Sequence, residues 1–144
     1  MLRLEHFRWG TVDWLASSSL GNSVELSVAR MYIEPGMGTA WHHHPHCEEA
    51  VVVLKGAIHC VIDDRLFSLQ TSGSLVIPQD AAHKISNVGS ERAMLLVSYS
   101  TAKRVYQQVR RSDVDKACSN LCQMLATGPT TRPTKTRRTS RLAR

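Results

Sequence analysis

Four of the chain's seven histidines fall in the run His42-His43-His44-Pro45-His46-Cys47-Glu48-Glu49, together with two carboxylates. Side chains alternate between faces along an extended strand, so His42, His44 and His46 share one side. Neutral imidazoles beside a carboxylate form a mixed nitrogen and oxygen donor set, suited to Zn, Fe, Ni, Mn or Cu. Packing does not account for so dense a polar cluster, and a metal site is the leading reading. Periodicity leaves the carboxylate open. Glu48 shares the face of His44 on an unbroken strand, whereas Glu49 joins it only if the chain bends near Pro45–Cys47.

The elements that must position these groups are read from hydrophobic pattern and turn residues. Val24-Glu25-Leu26-Ser27-Val28 alternates apolar and polar and continues through Tyr32-Ile33 to the turn Glu34-Pro35-Gly36. Trp9 to Leu15 reads as an earlier strand, separated by the polar loop 17–23. Residues 50–54, Ala-Val-Val-Val-Leu, are apolar on both faces and predict a strand covered from both sides, ending at Lys55-Gly56. Further strands are expected over 57–62, 66–69, 75–77 and 93–99, with turns at Asp63-Asp64, Ser72-Gly73 and Pro78. Short strands at this spacing indicate a β-sandwich or barrel. Helical period is readable only late. Ser112 is placed to cap a helix over 112–126 whose stripe is Val114, Cys118, Leu121, Cys122 and Leu125, closed by Gly128-Pro129.

At 144 residues the chain is sized for one domain with its own core. No apolar run approaches the ~20 residues needed to cross a bilayer. The N-terminus lacks the basic-then-apolar order of a secretion signal, so a cytoplasmic location is expected. The net charge of +6 belongs to one segment. Residues 127–144 hold Arg132, Lys135, Arg137, Arg138, Arg141 and Arg144 and no acid, leaving twelve bases against twelve acids before them. That tail is expected to be disordered, with at most weak non-specific attraction to nucleic acid. No helix-turn-helix is readable, which argues against operator binding. The cysteines (Cys47, Cys60, Cys118, Cys122) show no C-x-x-C spacing and read as small buried hydrophobes.

The spacing Gly36, five residues, His42-x-His44, four residues, Glu49, six residues, Gly56 resembles the first motif of the cupin superfamily. Residues 73–87 resemble the second, agreeing at Pro78, His83 and Asn87. Two positions depart from it: Gly73 stands one residue too close to Pro78, and Asp80 replaces a glycine. Asp tolerates positive φ better than most residues, and neither departure touches a ligand. The resemblance covers roughly residues 25–100. It implies a small single-domain metal-binding cupin: an all-β, double-stranded β-helix (jelly-roll) barrel with a short C-terminal helix.

The same resemblance implies that His42, His44, Glu49 and His83 bind one divalent metal ion, without distinguishing Fe2+, Mn2+, Ni2+, Cu2+ and Zn2+. It selects Glu49 over Glu48 and so requires the bend. Three imidazoles and one carboxylate fill four positions of a roughly octahedral ion, leaving about two for other ligands. Val51 and Val53 would share the inward face with Glu49. His43 would point outward, His46 would lie in the bend, and His59 would sit mid-strand without a ligating role. The expected organisation is an N-terminal strand segment (1–24) packed on the barrel (25–111), the helix (112–126) and the tail (127–144).

The expected function is a metal-dependent enzyme acting on a small organic substrate. Dioxygenase-type chemistry is favoured, with isomerase, lyase and polyketide-cyclase types also admitted. The alternative is a non-catalytic small-molecule binder or sensor. A homodimer is expected, mainly from the family.

Overall fold

The computed structural model describes residues 3–110 and 112–115. Eleven strands occur in chain order among the described residues. They are β1 (Leu4–Phe7), β2 (Gly10–Ala16), β3 (Ser27–Ile33), β4 (His42–His43), β5 (Glu49–Lys55), β6 (Ala57–Ile62), β7 (Arg65–Gln70), β8 (Ser74–Ile77), β9 (His83–Asn87), β10 (Ala93–Tyr99) and β11 (Gln107–Gln108). A 3-10 turn at Ser18–Leu20 follows β2. The first sheet runs β1-β2-β3-β10-β5-β8 and the second β11-β4-β9-β6-β7, with antiparallel neighbours. The architecture is the jelly-roll barrel that the strand pattern and the family motifs lead one to expect.

The core lies between the two sheets and follows from the period of two. In β3 and β10 every second residue is buried. Ala29, Met31, Ile33, Leu95 and Val97 thereby meet Ile58, Cys60 and Ile85 across the gap. Each fully buried aliphatic side chain contributes about 1.5–3 kcal/mol. Asn87, the last residue of β9, is buried yet satisfied. Its amide donates to the carbonyls of Ile33 and Glu91, and its Oδ1 accepts from the Gly89 N–H. It fastens the far end of β9 to β3. Gly56 turns the chain from β5 to β6 at φ +97°, where a Cβ would crowd the Ala93 backbone.

Three expectations give way. β3 starts at Ser27, not Val24: Val24 is 91 % exposed, because no strand neighbours residues 24–26. The 50–54 strand is buried on one face only. Val51 and Val53 are inside, Ala50 and Val52 are half-buried and Leu54 is exposed, since none of the described residues covers the outer side of this strand. Residues 112–115 are helical, but the Arg110 carbonyl already accepts from the Asp113 and Val114 N–H groups, so Ser112 lies inside the first turn instead of capping it. The rest of the 112–126 helix and the 127–144 tail lie outside the described residues. Among those described, no helix is long and apolar enough to cross a membrane.

Candidate metal centre

Register brings the cluster together. His42 on β4 pairs directly with His83 on β9, which places their rings 4.1 Å apart. Glu49 opens β5 opposite Tyr99, the last residue of β10, and both side chains point inward. Between β4 and β5 the chain bends at Pro45–His46, with His46 at φ +68°. The bend resets the alternation, so His42, His44 and Glu49 are buried while His46 and Glu48 face solvent. Asp80 takes φ +62° in the turn after β8, and its N–H donates to the His44 carbonyl at 3.2 Å.

One donor atom from each of His42, His44, Glu49 and His83 lies within 4.8 Å of all the others. All four residues are at most 4 % exposed. Each imidazole is fixed through Nδ1 by a backbone carbonyl: His42 by Ala40 at 2.8 Å, His44 by Val105 at 2.7 Å and His83 by Ala81 at 2.9 Å. A carbonyl only accepts, so Nδ1 carries a proton in each ring, and a neutral ring then presents an Nε2 lone pair to the centre; His83 Nε2 is also in hydrogen-bond contact with Glu49 Oε2. The Nε2 atoms of His44 and His83 stand 3.1 and 3.0 Å from Glu49 Oε2. His44 Nε2 is close to that oxygen but forms no hydrogen bond with it and has no other partner.

Acceptor lone pairs crowded round one buried point repel each other unless a cation lies between them. The residues therefore fit a divalent ion. Three imidazoles and a carboxylate are a donor set for a first-row transition metal.

The electrostatics are consistent with that fit. Burial, followed by the neighbouring His83, pulls His42 down from 6.5 to about 3, so it is a neutral ligand at ordinary pH. Burial pushes Glu49 upward, but the His44 and His83 groups beside it outweigh burial and hold it well below the usual carboxylate range. Tyr99 donates its O–H to Glu49 Oε1 at 3.1 Å, which turns Oε2 toward the histidines. Burial and the Glu49 charge raise the phenol of Tyr99, keeping it a donor.

A C-terminal strap closes the site. β11 pairs with β4, Gln107 opposite His43 and Gln108 opposite His42, and the Val109 N–H donates to the Trp41 carbonyl. This docking sets the Val105 carbonyl on His44 and stacks Tyr106 on His42, centroids 4.5 Å apart and planes inclined by 23°. The Arg104 guanidinium lies over Trp14, Tyr99 and Tyr106.

Of the other sequence candidates, His43 is directed away from the centre, 3.7 Å from the exposed Asp80. His59 is half-buried on the outer side of β6. Cys47 is buried, and burial and then Glu49 raise its thiol, which disfavours a thiolate ligand. Tyr99, Arg104, Val105 and Tyr106 were not singled out by the sequence. The inward parity of Leu95, Val97 and Tyr99 could have revealed Tyr99. Nothing in residue spacing announces the strap.

The cupin domain family matches residues 29–99. The chain is 32 % identical over 89 residues to protein SchB of Streptomyces halstedii, covering 62 % of this chain and 64 % of that one. It is 35 % identical over 68 residues to polyketide synthase CurC of Streptomyces cyaneus, covering 47 % of this chain and 44 % of that one. The chain thus spans under two thirds of the length of these relatives. Among solved structures, a cupin 2 domain-containing protein from Halorhodospira halophila superposes with TM-score 0.65 at 21 % identity, covering 77 % of both chains. Oxalate decarboxylase of Bacillus subtilis superposes with TM-score 0.68 at 18 % identity, covering 82 % of this chain and 34 % of that one. Motif spacing, barrel topology, a buried three-histidine, one-glutamate centre and the family match agree: residues 29–99 form a cupin domain.

Proposed function

We propose that this protein is a metal-dependent enzyme in which His42, His44, Glu49 and His83 hold one divalent ion and the substrate is a flat, oxygen-rich molecule of the polyketide class. The observation carrying this reading is the pinning of three Nδ1–H groups on carbonyls, which leaves Nε2 lone pairs and one carboxylate converging in a buried space. A bound ion supplies Lewis acidity toward a carbonyl or enolate oxygen. The chain's own residues do the rest. Tyr106, 43 % exposed and stacked on His42, offers a ring face on which a planar substrate packs beside the centre. Val51, Val53 and Ile77 give dry walls that strengthen every polar contact inside. Tyr99 keeps Glu49 in one orientation. The polyketide class is supported by the relative named as a polyketide synthase.

A second reading, dioxygenase chemistry, is favoured by the same donor set, because it leaves about two positions of an octahedral ion unfilled. One experiment separates them. The protein is purified without added metal and its metal content measured by mass spectrometry, then incubated with a poly-β-ketone and a catechol under air and under argon. Ring-closed product formed equally in both atmospheres supports the first reading, and oxygen uptake with catechol supports the second. Failure of the protein to take up stoichiometric metal overturns both.

A further inference from the structure

Beside the metal centre, at the barrel end where β2 stops and β3 begins, lies a second cavity of about 380 Å3. Its lining includes Trp14, Ser17, Ser27, Lys103 and Arg104, and no carboxylate among the described residues. It contains none of the four metal-site residues, yet it shares Arg104 with the aromatic wall of that site.

Ser27 in this lining donates its O–H to the Thr101 carbonyl, but other polar groups here lack an acceptor. Trp14 is 1 % exposed and its Nε1–H has no hydrogen-bond partner; Arg104 Nε is likewise buried without one. Both groups can only donate. Among the described residues no carboxylate pairs with Arg104, whose guanidinium is met by ring faces alone, 4.8 Å from the centroid of Trp14 and 5.3 Å from that of Tyr99. Ser17 Oγ accepts from the Leu20 N–H, which leaves its own O–H free to donate. Lys103 adds a second, exposed cation at the rim. Buried donors without acceptors are rare in folded proteins and each costs about 1–3 kcal/mol. The lining therefore holds two cations, Arg104 and Lys103, and no anion, which calls for a counter-group that is negative and rich in lone pairs.

We propose that this cavity is a binding site for a small oxyanion, a carboxylate or a phosphate, held chiefly by Arg104. A guanidinium fork engages either group through two parallel hydrogen bonds, and the aromatic faces under Arg104 hold that fork in place. The oxyanion is either the acid group of a ligand that also reaches the metal centre or a free phosphate. The proposal stands whether or not a metal binds next door.

The test is calorimetric titration of the full chain at low ionic strength with inorganic phosphate and with benzoate, each before and after treatment with a chelator. Saturable binding that survives chelation, weakens with added NaCl, and falls at least about tenfold in Arg104→Gln supports the site. Arg104→Lys should recover part of the loss, because charge returns without the fork. Should Arg104→Gln fail to fold, Lys103→Glu at the exposed rim serves instead and should weaken binding severalfold. Tight benzoate binding that competes with phosphate identifies the acid group of a larger ligand, whereas binding of phosphate alone identifies the free ion. Binding only in the metal-loaded form, no binding at all, or affinity unchanged in both Arg104→Gln and Lys103→Glu overturns the proposal.

Discussion

Replacing Tyr99 by Phe removes one oxygen and leaves the ring in place against Trp14, His44 and Arg104, so the change isolates a single hydrogen bond. That bond, 3.1 Å from the Tyr99 hydroxyl to Glu49 Oε1, joins two residues that are 3 % and 1 % exposed. A buried hydrogen bond to a charged group is worth about 1.5–3 kcal/mol, and no water competes for the oxygen left behind. For a barrel of this size about 1 kcal/mol moves the midpoint by ~4 °C, so the metal-free variant should melt roughly 6–12 °C lower. Metal affinity should fall as well. Without Tyr99, Oε2 is no longer the oxygen turned toward the histidines, and the carboxylate must be reoriented on binding. Loss of such a supporting partner typically costs ~10–100-fold in affinity. Thermal scans of chelated protein and competition for Mn2+ against an indicator dye measure the two effects. Tyr106→Phe is the control, since Tyr106 meets the centre only through its ring, and it should leave both values unchanged. A Tyr99→Phe protein melting within about 2 °C of the parent, with affinity within about twofold, would refute this account of Glu49.

Binding to the folded state alone should stabilise the protein by about 2.7 kcal/mol at a hundredfold excess of Mn2+ over Kd and so raise its melting midpoint, and chelation should reverse the rise; identical midpoints contradict a resident ion. Stability of the chelated protein should fall with acidity. His42 is pulled from 6.5 to about 3 in the fold, so between those values the unfolded chain holds the extra proton and gains by up to ~1.4 kcal/mol per pH unit. Glu49, held low in the fold, adds a loss of the same sign below its ordinary 4.5. Urea denaturation at intervals from pH 7 to 4 reads this slope, and a flat profile excludes it. Burial pushes the Cys60 thiol up to about 12 and also raises Cys47, so neither should react with a thiol reagent at pH 8 until the barrel unfolds.

Sequence carried the centre further than it carried the frame. The motif spacing required Glu49 instead of Glu48, and hence a break in alternation; the chain supplies it at His46 with φ +68°. Asp80, out of place for the motif, occupies φ +62°, a conformation its short polar side chain accepts. Both deductions worked because local backbone chemistry fixes them. Failures occurred where partners decide the outcome. Val24 to Leu26 alternate like a strand but have no neighbour to pair with. Residues 50–54 are apolar on both faces, yet a period of two cannot say whether a cover exists for the second. Tyr106 and the Val105 carbonyl act from a segment whose position depends on pairing with β4, sixty residues earlier, and no local pattern encodes that.

The three imidazoles differ in what orients them. His42 and His83 are held by carbonyls two residues upstream, at Ala40 and Ala81, so each is aimed by its own strand. His44 is held by Val105, 61 residues away. The contact forms only if β10 is in register, the 100–106 turn is anchored to Ser18 and Ser27, and β11 is paired with β4. Two thirds of the imidazole set is therefore built by local geometry and the last third by the segment leading into β11. An unanchored His44 would turn freely and choose either nitrogen, losing the preorganisation that makes a weakly charged donor set bind at all. Completion of the metal centre and closure of the barrel are in this sense one event, and the strap that carries Tyr106 over His42 is the element on which both depend.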